Sequence, residues 1–377
     1  MFLATNQTAP IRNRFDSIQA LRGIAALMVV FFHFRGVFNL PTYPLGDNLF
    51  SYGGTGVTLF FIISGFVMGL PNYRPGLNSM LEFSIKRIAR IVPLYLIASI
   101  AWCYVTIPGF KLIAINQDTI ELIKSLFFYP LNGNAPVYGA KLFVGWTLNY
   151  EMLFYGIVAL GIAGRFPAAI VIIFFFVTLI LIPSLVRDVS LSPYIEYKFS
   201  FGYLNIASNP IIWNFIAGFF IAKLVNRLPK INQEFLFFLC LTSGFFVFWQ
   251  LLSGFRTGHG ITQSGAGFAA MIAAFAWYEK HYSPTINKHL IYLGNISFSI
   301  YIWHFVILSF FENLFLRINM RDYLYTFLYG TSMVIITLIL SRYSHILIEE
   351  KLSNSIKNFL LQIAHTKSIN RIKINDN

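Results

Sequence analysis

The sequence predicts an all-α polytopic membrane protein, and three observations support this fold class. The chain of 377 residues is 56% hydrophobic and only 11% charged, and its mean hydropathy is +0.65. Soluble domains have about 25% charged residues, so these charges are too few to cover a globule of this length. The apolar residues lie in runs of membrane-spanning length, and Lys and Arg accumulate on one side of those runs.

Ten apolar segments reach or approach the roughly 17–25 residues that cross a bilayer as a helix. They are 18–38, 54–70, 88–107, 147–164, 166–186, 211–225, 234–252, 261–277, 290–311 and 323–348. The first does not resemble a cleaved signal peptide, because it contains Arg22 and His33 and a second span follows closely.

The distribution of Lys and Arg predicts the orientation. About twice as many of these residues lie in the connecting segments on the side of the N-terminus as on the opposite side. Both termini are therefore expected in the cytoplasm, with an N-terminal segment 1–17, a transmembrane domain 18–350 and a basic tail 351–377. This asymmetry accounts for most of the net charge of +13, so that charge does not indicate nucleic-acid binding.

Motifs for other kinds of site are missing from the sequence. Cys103 and Cys240 both fall in apolar runs without metal-ligand spacing, so neither a metal site nor a disulfide is expected. There is no G-x-S-x-G nucleophile elbow and no G-x-x-x-x-G-K-[ST] phosphate loop. We expect no permanently bound cofactor.

Arg22 and His33 are the first candidate site residues. A separation of eleven residues is close to three helical turns, so both side chains lie on one face of the first span, roughly 16 Å apart along its axis. Ionisable groups inside a membrane are costly, and they commonly mark a functional path. The alternative for His33 is a hydrogen bond to a neighbouring helix with a purely structural role.

A second candidate group lies where the third span begins. Ser79 and Glu82 have the spacing of a capping box, so a helix is expected to start there. Lys86, Arg87 and Arg90 then share an arc of about 100° on that helix. Three cations on one face fit a polyphosphate, and they also fit ordinary anchoring to anionic lipid.

Glu151 is the third candidate. Trp146 marks a membrane interface, which places Glu151 about one turn inside the bilayer with Tyr155 one turn further. An unpaired carboxylate there is expensive, so we expect Glu151 to face a cavity at the depth of His33. The structural alternative is an ion pair with Arg35 or Lys141.

Two further candidates lie in the last two spans. His304 is near the middle of the ninth span, where a structural and a functional role are equally compatible with the sequence. Arg342, His345, Glu349 and Glu350 lie near the end of the tenth span and are expected to form ion pairs, with Glu349 the one to test first.

Four motifs together resemble the membrane acyltransferase-3 family, over residues 15–352. Residues 21–34, with Arg22 and His33, resemble its first-helix R-x10-H signature, and RIARIVPLY at 87–95 resembles R-x-x-R-I-x-P-x-Y. WTLNYEMLFY at 146–155 resembles W-S-L-x-x-E-x-x-F-Y, and SFSIYIWH at 297–304 resembles S-Y-S-L-Y-L-W-H. Two departures are Thr147 in place of Ser and IEEK at 348–351 in place of I-E-R-P, and the second weakens any role for Glu349.

The resemblance implies a bacterial inner-membrane O-acyltransferase that modifies surface glycans. Acyl-CoA, acetyl or succinyl, is then the co-substrate, with its phosphates on Lys86, Arg87 and Arg90 and its pantetheine arm along Arg22. The acceptor is the hydroxyl of an O-antigen, capsule, exopolysaccharide or lipid-linked saccharide, activated or acylated through His33. Glu151 orients the imidazole or holds the sugar, and the acceptor side also includes Trp146, Tyr155, His304 and Glu349.

A transporter or flippase is the main alternative from another class. It predicts broken helices in paired halves, and the glycine-rich second span is the nearest such feature. No matching segment occurs in the second half of the sequence. A purely structural membrane protein fits less well, because it does not require Arg22 and His33 within a span.

Overall fold

A computed structural model describes residues 14–40, 42–131, 133–164, 167–320 and 326–375, without the side chains of 167–168 and 365–375. Across these ranges the chain is predominantly helical and contains no β-strand. Most of the predicted N-terminal segment 1–17 lies outside the described residues, as does the end of the tail 351–377.

Sixteen α-helices follow one another within the described ranges. They are α1 (Asp16–Phe34), α2 (Leu45–Phe50), α3 (Gly56–Gly69), α4 (Leu77–Thr106), α5 (Gln117–Leu126), α6 (Trp146–Ala163), α7 (Pro167–Phe176), α8 (Ile182–Val186), α9 (Gly202–Ala207), α10 (Trp213–Arg227), α11 (Gln233–Ser253), α12 (Ala266–Tyr282), α13 (Lys288–Asn295), α14 (Ser297–Arg317), α15 (Phe327–Ser344) and α16 (Ser353–Asn375). Wider π-helical turns join α7 to α8, precede α12 and join α15 to α16.

Eight helical stretches of the described chain are long and apolar enough to cross a membrane. They are Asp16–Phe38, Leu45–Gly69, Leu77–Thr106, Phe143–Ala163, Ala169–Val186, Gln233–Ser253, Ser297–Arg317 and Phe327–Ala364. The predicted sixth and eighth spans are also helical, but α10 has only 15 residues and α12 has 17. The all-α polytopic class is confirmed. Below, the face where α1 begins is called proximal and the face where it ends is called distal.

The glycines of the second span serve close helix packing. A Cβ on Gly65 would lie 2.0 Å from the carbonyl oxygen of Phe215, and one on Gly218 would lie 1.9 Å from that of Ile62. The backbones of α3 and α10 are therefore in direct contact, as small residues allow in membrane helices. The α-helix is continuous from Gly56 to Gly69, so Gly65 does not mark the broken helix that a transporter predicts.

A buried carboxylate fixes the start of α1. Glu279 of α12 is fully buried and accepts hydrogen bonds from the backbone N–H groups of Asp16, at 2.7 Å, and Ser17, at 2.8 Å. The Ser17 hydroxyl donates a third, at 2.5 Å. A carboxylate there satisfies orphan N–H groups and is favoured by the helix dipole. From this anchor α1 packs against α3, α13 and α14, which positions Arg22 and His33.

Candidate active site

Two histidines meet near the distal face. His33, in the last turn of α1, and His304, in α14, lie with Nδ1 of the first 2.9 Å from Nε2 of the second. Their rings are 5.0 Å apart between centroids and nearly parallel, at 22°. His304 is fully buried, and its Nδ1 faces the Ile300 carbonyl oxygen at 3.2 Å. The structure thus brings His304 to the predicted catalytic residue.

The backbone contact orients the pair. A carbonyl only accepts, so the Nδ1 of His304 carries a hydrogen and donates to Ile300. In a neutral ring the Nε2 of His304 is then an acceptor, and His33 donates to it from Nδ1. This arrangement leaves the lone pair of His33 on Nε2. That atom is available as a general base or a nucleophile.

Aromatic side chains enclose the histidine pair. The ring of His33 contacts Phe305 edge-on at 5.5 Å and Phe143 at 6.2 Å, and these two phenylalanines stack on each other at 5.2 Å. Phe143 is 41% exposed, so this aromatic wall lies at the surface of the site. Phe143 belongs to the segment that leads into α6, so this segment helps to shape the site.

Glu151 has different neighbours from those predicted. It accepts a hydrogen bond from the hydroxyl of Ser64 at 2.6 Å and another from Tyr155, one turn further along α6. Of the two roles considered for Glu151, direct orientation of the His33 imidazole does not fit these contacts, because the partner of His33 is His304. The structural alternatives are also wrong: Arg35 pairs with Asp47, and Lys141 pairs with two carboxylates of α5.

A narrow cavity brings three arginines to Glu151. It has a volume of about 80 Å³, and its walls include Arg22, Arg87 and Arg90 together with Glu151 and Tyr155. The guanidinium of Arg87 lies 5.5 Å from the centre of the Tyr155 ring, a cation–π distance. The three arginines share the cavity with the carboxylate of Glu151 and with the hydroxyl of Tyr155. The buried positive charges therefore face a negative charge and a hydrogen-bonding group inside the cavity. The two predicted groups, Arg22 and the cations of α4, therefore form one site.

The same arginines line a wider cavity on the proximal face. This second cavity measures about 600 Å³, and Lys86, Arg87 and Arg90 of α4 face it together with Arg22 of α1. Lys86 pairs with Glu82 at 2.5 Å, and both side chains are about half exposed, so this pair is worth little and can exchange for an anionic ligand. The cationic wall continues from the surface into the narrow cavity through Arg22, Arg87 and Arg90.

Tyr301 lies between the narrow cavity and the histidines. Thr147 and Tyr301 both line the cavity, and their hydroxyls lie 2.9 Å apart. The ring of Tyr301 is also 5.9 Å from that of His304, one turn along α14. Tyr301 thus lines the cavity with its hydroxyl and contacts the histidine pair through its ring. Thr147, where the family motif has Ser, keeps the hydroxyl.

The remaining predicted residues have supporting positions. Trp146 is buried and packs edge-on against Phe61. Glu349 lines the proximal cavity, accepts a hydrogen bond from Ser299 at 2.5 Å and lies 3.4 Å from His345. His345 also lies 3.4 Å from Glu350, so it contacts both carboxylates, and these contacts are ion pairs when the imidazole is protonated.

The sequence reasoning missed Ser64 and Tyr301. Ser64 is a hydroxyl residue in the middle of an apolar run. Tyr301 lies in a motif in which only His304 was considered as a site residue. The available signal in each case was a hydroxyl group at membrane depth, but nothing local indicates its partner. Glu151 and Thr147 become visible as those partners only when α6 is packed against α3 and α14.

The fold and the site define a polytopic membrane protein with a polar path lined by arginine, hydroxyl and histidine side chains. The chain belongs to acyltransferase family 3: the family model, described as an acyltransferase domain, matches residues 15–342. It is therefore a membrane acyltransferase.

Two relatives are similar over most of the chain. The "Exopolysaccharide production protein ExoZ" of Rhizobium meliloti (strain 1021) is 28% identical over 267 residues, which cover 68% of this chain and 76% of that protein. The "Putative acetyltransferase ORF330" of Acidianus two-tailed virus is 24% identical over 323 residues, or 78% and 83% of the two chains. No solved structure matches.

Proposed function

We propose that this protein is an O-acyltransferase that moves an acyl group, in the first instance acetyl, from cytoplasmic acyl-CoA to a hydroxyl of an extracytoplasmic glycan. The observation that carries the proposal is the hydrogen bond between His33 and His304, which lies next to Tyr301 on the distal side of the arginine-lined cavity. The name of the exopolysaccharide-production relative supports a surface polysaccharide as the acceptor. The proximal face is then cytoplasmic, in the inner membrane of a bacterium.

The donor is proposed to enter from the wide proximal cavity. Its phosphates fit Lys86, Arg87 and Arg90, because arginine binds phosphate through two parallel hydrogen bonds and lysine as a point charge. The wide proximal cavity, of about 600 Å³, offers the larger space for the nucleotide, and the pantetheine arm is proposed to continue past Arg22 into the cavity of about 80 Å³.

The lone pair on Nε2 of His33 acts as the general base in the proposed reaction. It accepts the proton of the sugar hydroxyl while the hydroxyl oxygen attacks the thioester carbonyl. A carbon–oxygen bond forms, the carbon–sulfur bond breaks, and the proton passes from the imidazole to the CoA thiolate. His304 stabilises the transient imidazolium by accepting from Nδ1. The alternative, a covalent acyl-His33 intermediate, uses the same atom.

The proposal is tested by CoA release from acetyl-CoA by the purified protein, with glycan from the producing cells as acceptor. CoA is measured by chromatography, because Cys103 and Cys240 react with thiol dyes. We expect His33→Ala to lose release by about 10²–10⁴-fold, as for removal of a general base. His289→Ala, which changes an exposed histidine of α13, is the matched control.

A second arm tests the donor site. The double variant Arg87→Ala/Arg90→Ala is expected to lose stabilisation by acetyl-CoA in a thermal-melting assay, whereas Arg187→Ala, at an exposed position, keeps it. Radiolabel from acetyl-CoA appears in the glycan if the protein is a transferase and stays out of it if the protein is a transporter. Near-normal glycan acylation by His33→Ala contradicts the mechanism.

A further inference from the structure

A separate cavity lies on the distal face, outside the path described above. It has a volume of about 310 Å³, near the lower limit of roughly 300 Å³ for small-molecule sites. It is formed by the segment that precedes α6 and the segment that precedes α10. Its walls include Tyr129, Asn134, Tyr138, Glu196, Phe199 and Asn205. None of these residues takes part in the proposed acyl transfer.

The aromatic walls are held firmly by hydrogen bonds. Asn205 accepts from the backbone N–H of Phe199 at 2.8 Å and donates to its carbonyl oxygen at 2.7 Å. Tyr129 packs edge-on against Tyr203 at 5.4 Å, and the hydroxyl of Tyr203 donates to the carbonyl oxygen of Phe127. Walls that are fixed before binding lose little entropy when a ligand enters.

Glu196 supplies a partly buried acceptor in this cavity. One of its oxygens accepts from the backbone N–H of Ala135 at 3.3 Å, and the other lies 3.6 Å from the ammonium of Lys198. Lys198 lines the cavity too, but its side chain is 80% exposed against 28% for Glu196, so the carboxylate is the more enclosed of the two charges. A carboxylate has about four lone-pair sites, so it can still accept from hydroxyl groups. The two opposite charges compensate each other, which fits a neutral ligand, and loss of Glu196 would leave the positive charge of Lys198 for an anionic one.

The cavity is close to the histidine pair along the chain. Tyr138 lines the cavity, and Phe143, five residues later, contacts the ring of His33. Five residues span at most about 18 Å. Both sites also belong to the distal face, because α1 ends there and α6 begins there. A ligand that occupies the cavity is therefore within the reach of a short oligosaccharide from His33.

We propose that this cavity binds a neutral sugar residue of the acceptor glycan, some units away from the residue that is acylated. Flat aromatic walls contact the apolar face of a sugar ring, while Glu196 and Asn134 meet its hydroxyls. This inference rests on the proposed function, since it identifies where the acceptor chain is held. It predicts that polymer or oligosaccharide acceptors are used better than single sugars.

The test measures binding of oligosaccharides to the detergent-solubilised full chain by calorimetry. The probe is the exopolysaccharide of the producing cells, de-O-acylated with alkali, partly hydrolysed and separated into neutral and uronate-containing fragments. The variants are Tyr129→Ala and Glu196→Gln. Tyr194→Ala is the control, because this exposed tyrosine of the same distal region does not line the cavity.

The expected result is a dissociation constant for the neutral fragments about five- to tenfold higher in Tyr129→Ala than in the wild type, from loss of the aromatic contact. Glu196→Gln should admit uronate-containing fragments that the wild type excludes, and Tyr194→Ala should bind as the wild type does. Affinity for acetyl-CoA should not change in any of the variants, which shows that they are folded.

Two results overturn the inference. One is wild-type protein that binds none of the fragments, and the other is an unchanged dissociation constant in Tyr129→Ala. Both are distinguishable from failure of the proposed function, which appears as absent acyl transfer from acetyl-CoA. If acyl transfer persists while the fragments bind equally to all variants, the proposed sugar site is refuted and the proposed acyltransferase function is not.

Discussion

Replacement of His304 by alanine tests how the histidine pair works. In the proposed reaction His33 becomes positively charged, and its Nδ1–H then donates a charge-assisted hydrogen bond to Nε2 of His304 across 2.9 Å. His304→Ala removes this acceptor. His33→Ala, by contrast, removes the base itself, so the two variants should differ in size of effect.

The expected magnitude follows from that one contact. A hydrogen bond that involves a charged group contributes about 1.5–3 kcal/mol. Because the charge develops only in the transition state, its loss lowers the turnover number by about 10- to 150-fold. His304 is fully buried, so the variant also leaves a void and melts at a lower temperature. His304→Gln keeps a carbonyl acceptor and should recover part of the rate.

The assay is CoA release at saturating acetyl-CoA and glycan, with each rate divided by the fraction of protein that binds acetyl-CoA. The double variant His33→Ala/His304→Ala should be no slower than His33→Ala, because the two residues act as a unit. A wild-type turnover number in His304→Ala, or losses that multiply in the double variant, would refute the reasoning.

Three further predictions concern other parts of the structure. Arg87→Lys should weaken acetyl-CoA binding about tenfold in a binding titration, because lysine replaces neither the bidentate contact nor the stacking; unchanged affinity would exclude Arg87 from the donor site. Glu279→Ala should lower the melting temperature, because it leaves three donors at the start of α1 unsatisfied and each buried unsatisfied donor costs about 1–3 kcal/mol. An unchanged melting temperature would contradict this. Hydrogen bonds from Gln117 and Lys141 hold the pKa of Glu121 below its ordinary 4.5. The resulting stabilisation is complete above pH 4.5 and is lost as the pH falls through the depressed pKa, so the melting temperatures of wild type and Glu121→Gln should converge in acid; a constant difference would show that this carboxylate does not contribute.

The sequence predicted the helical class and the identities of most site residues, because both depend on local information. A run of apolar residues long enough for the bilayer forms a helix in any membrane protein, since every backbone group must be satisfied within it. Ionisable residues such as Arg22, His33 and Glu151 can be recognised in those runs because it costs free energy to place an ionisable side chain inside a membrane. The resemblance to the acyltransferase family implied that the cations of α4 and Arg22 belong to one path.

The contacts between these residues could not be predicted in the same way. Glu151 was expected at the depth of His33 without a named partner across the fold, and it bonds Ser64, which is 87 positions away in the sequence. His33 bonds His304, 271 positions away. The depth of a residue follows from its position in its own helix, whereas its partner depends on how that helix is rotated and which neighbours it packs against.

The sequence by itself thus determined that the chain forms apolar helices of a membrane protein and which residues carry charge within them, although two of the ten predicted spans are helices of only 15 and 17 residues. Only the tertiary structure decided that the charges divide into an arginine–glutamate cavity and a histidine pair, with Tyr301 in contact with both. The physical reason is the distance along the sequence over which each effect acts. Hydropathy and helical periodicity act over a few turns, while close packing of α1, α3, α6 and α14 selects partners across the whole chain.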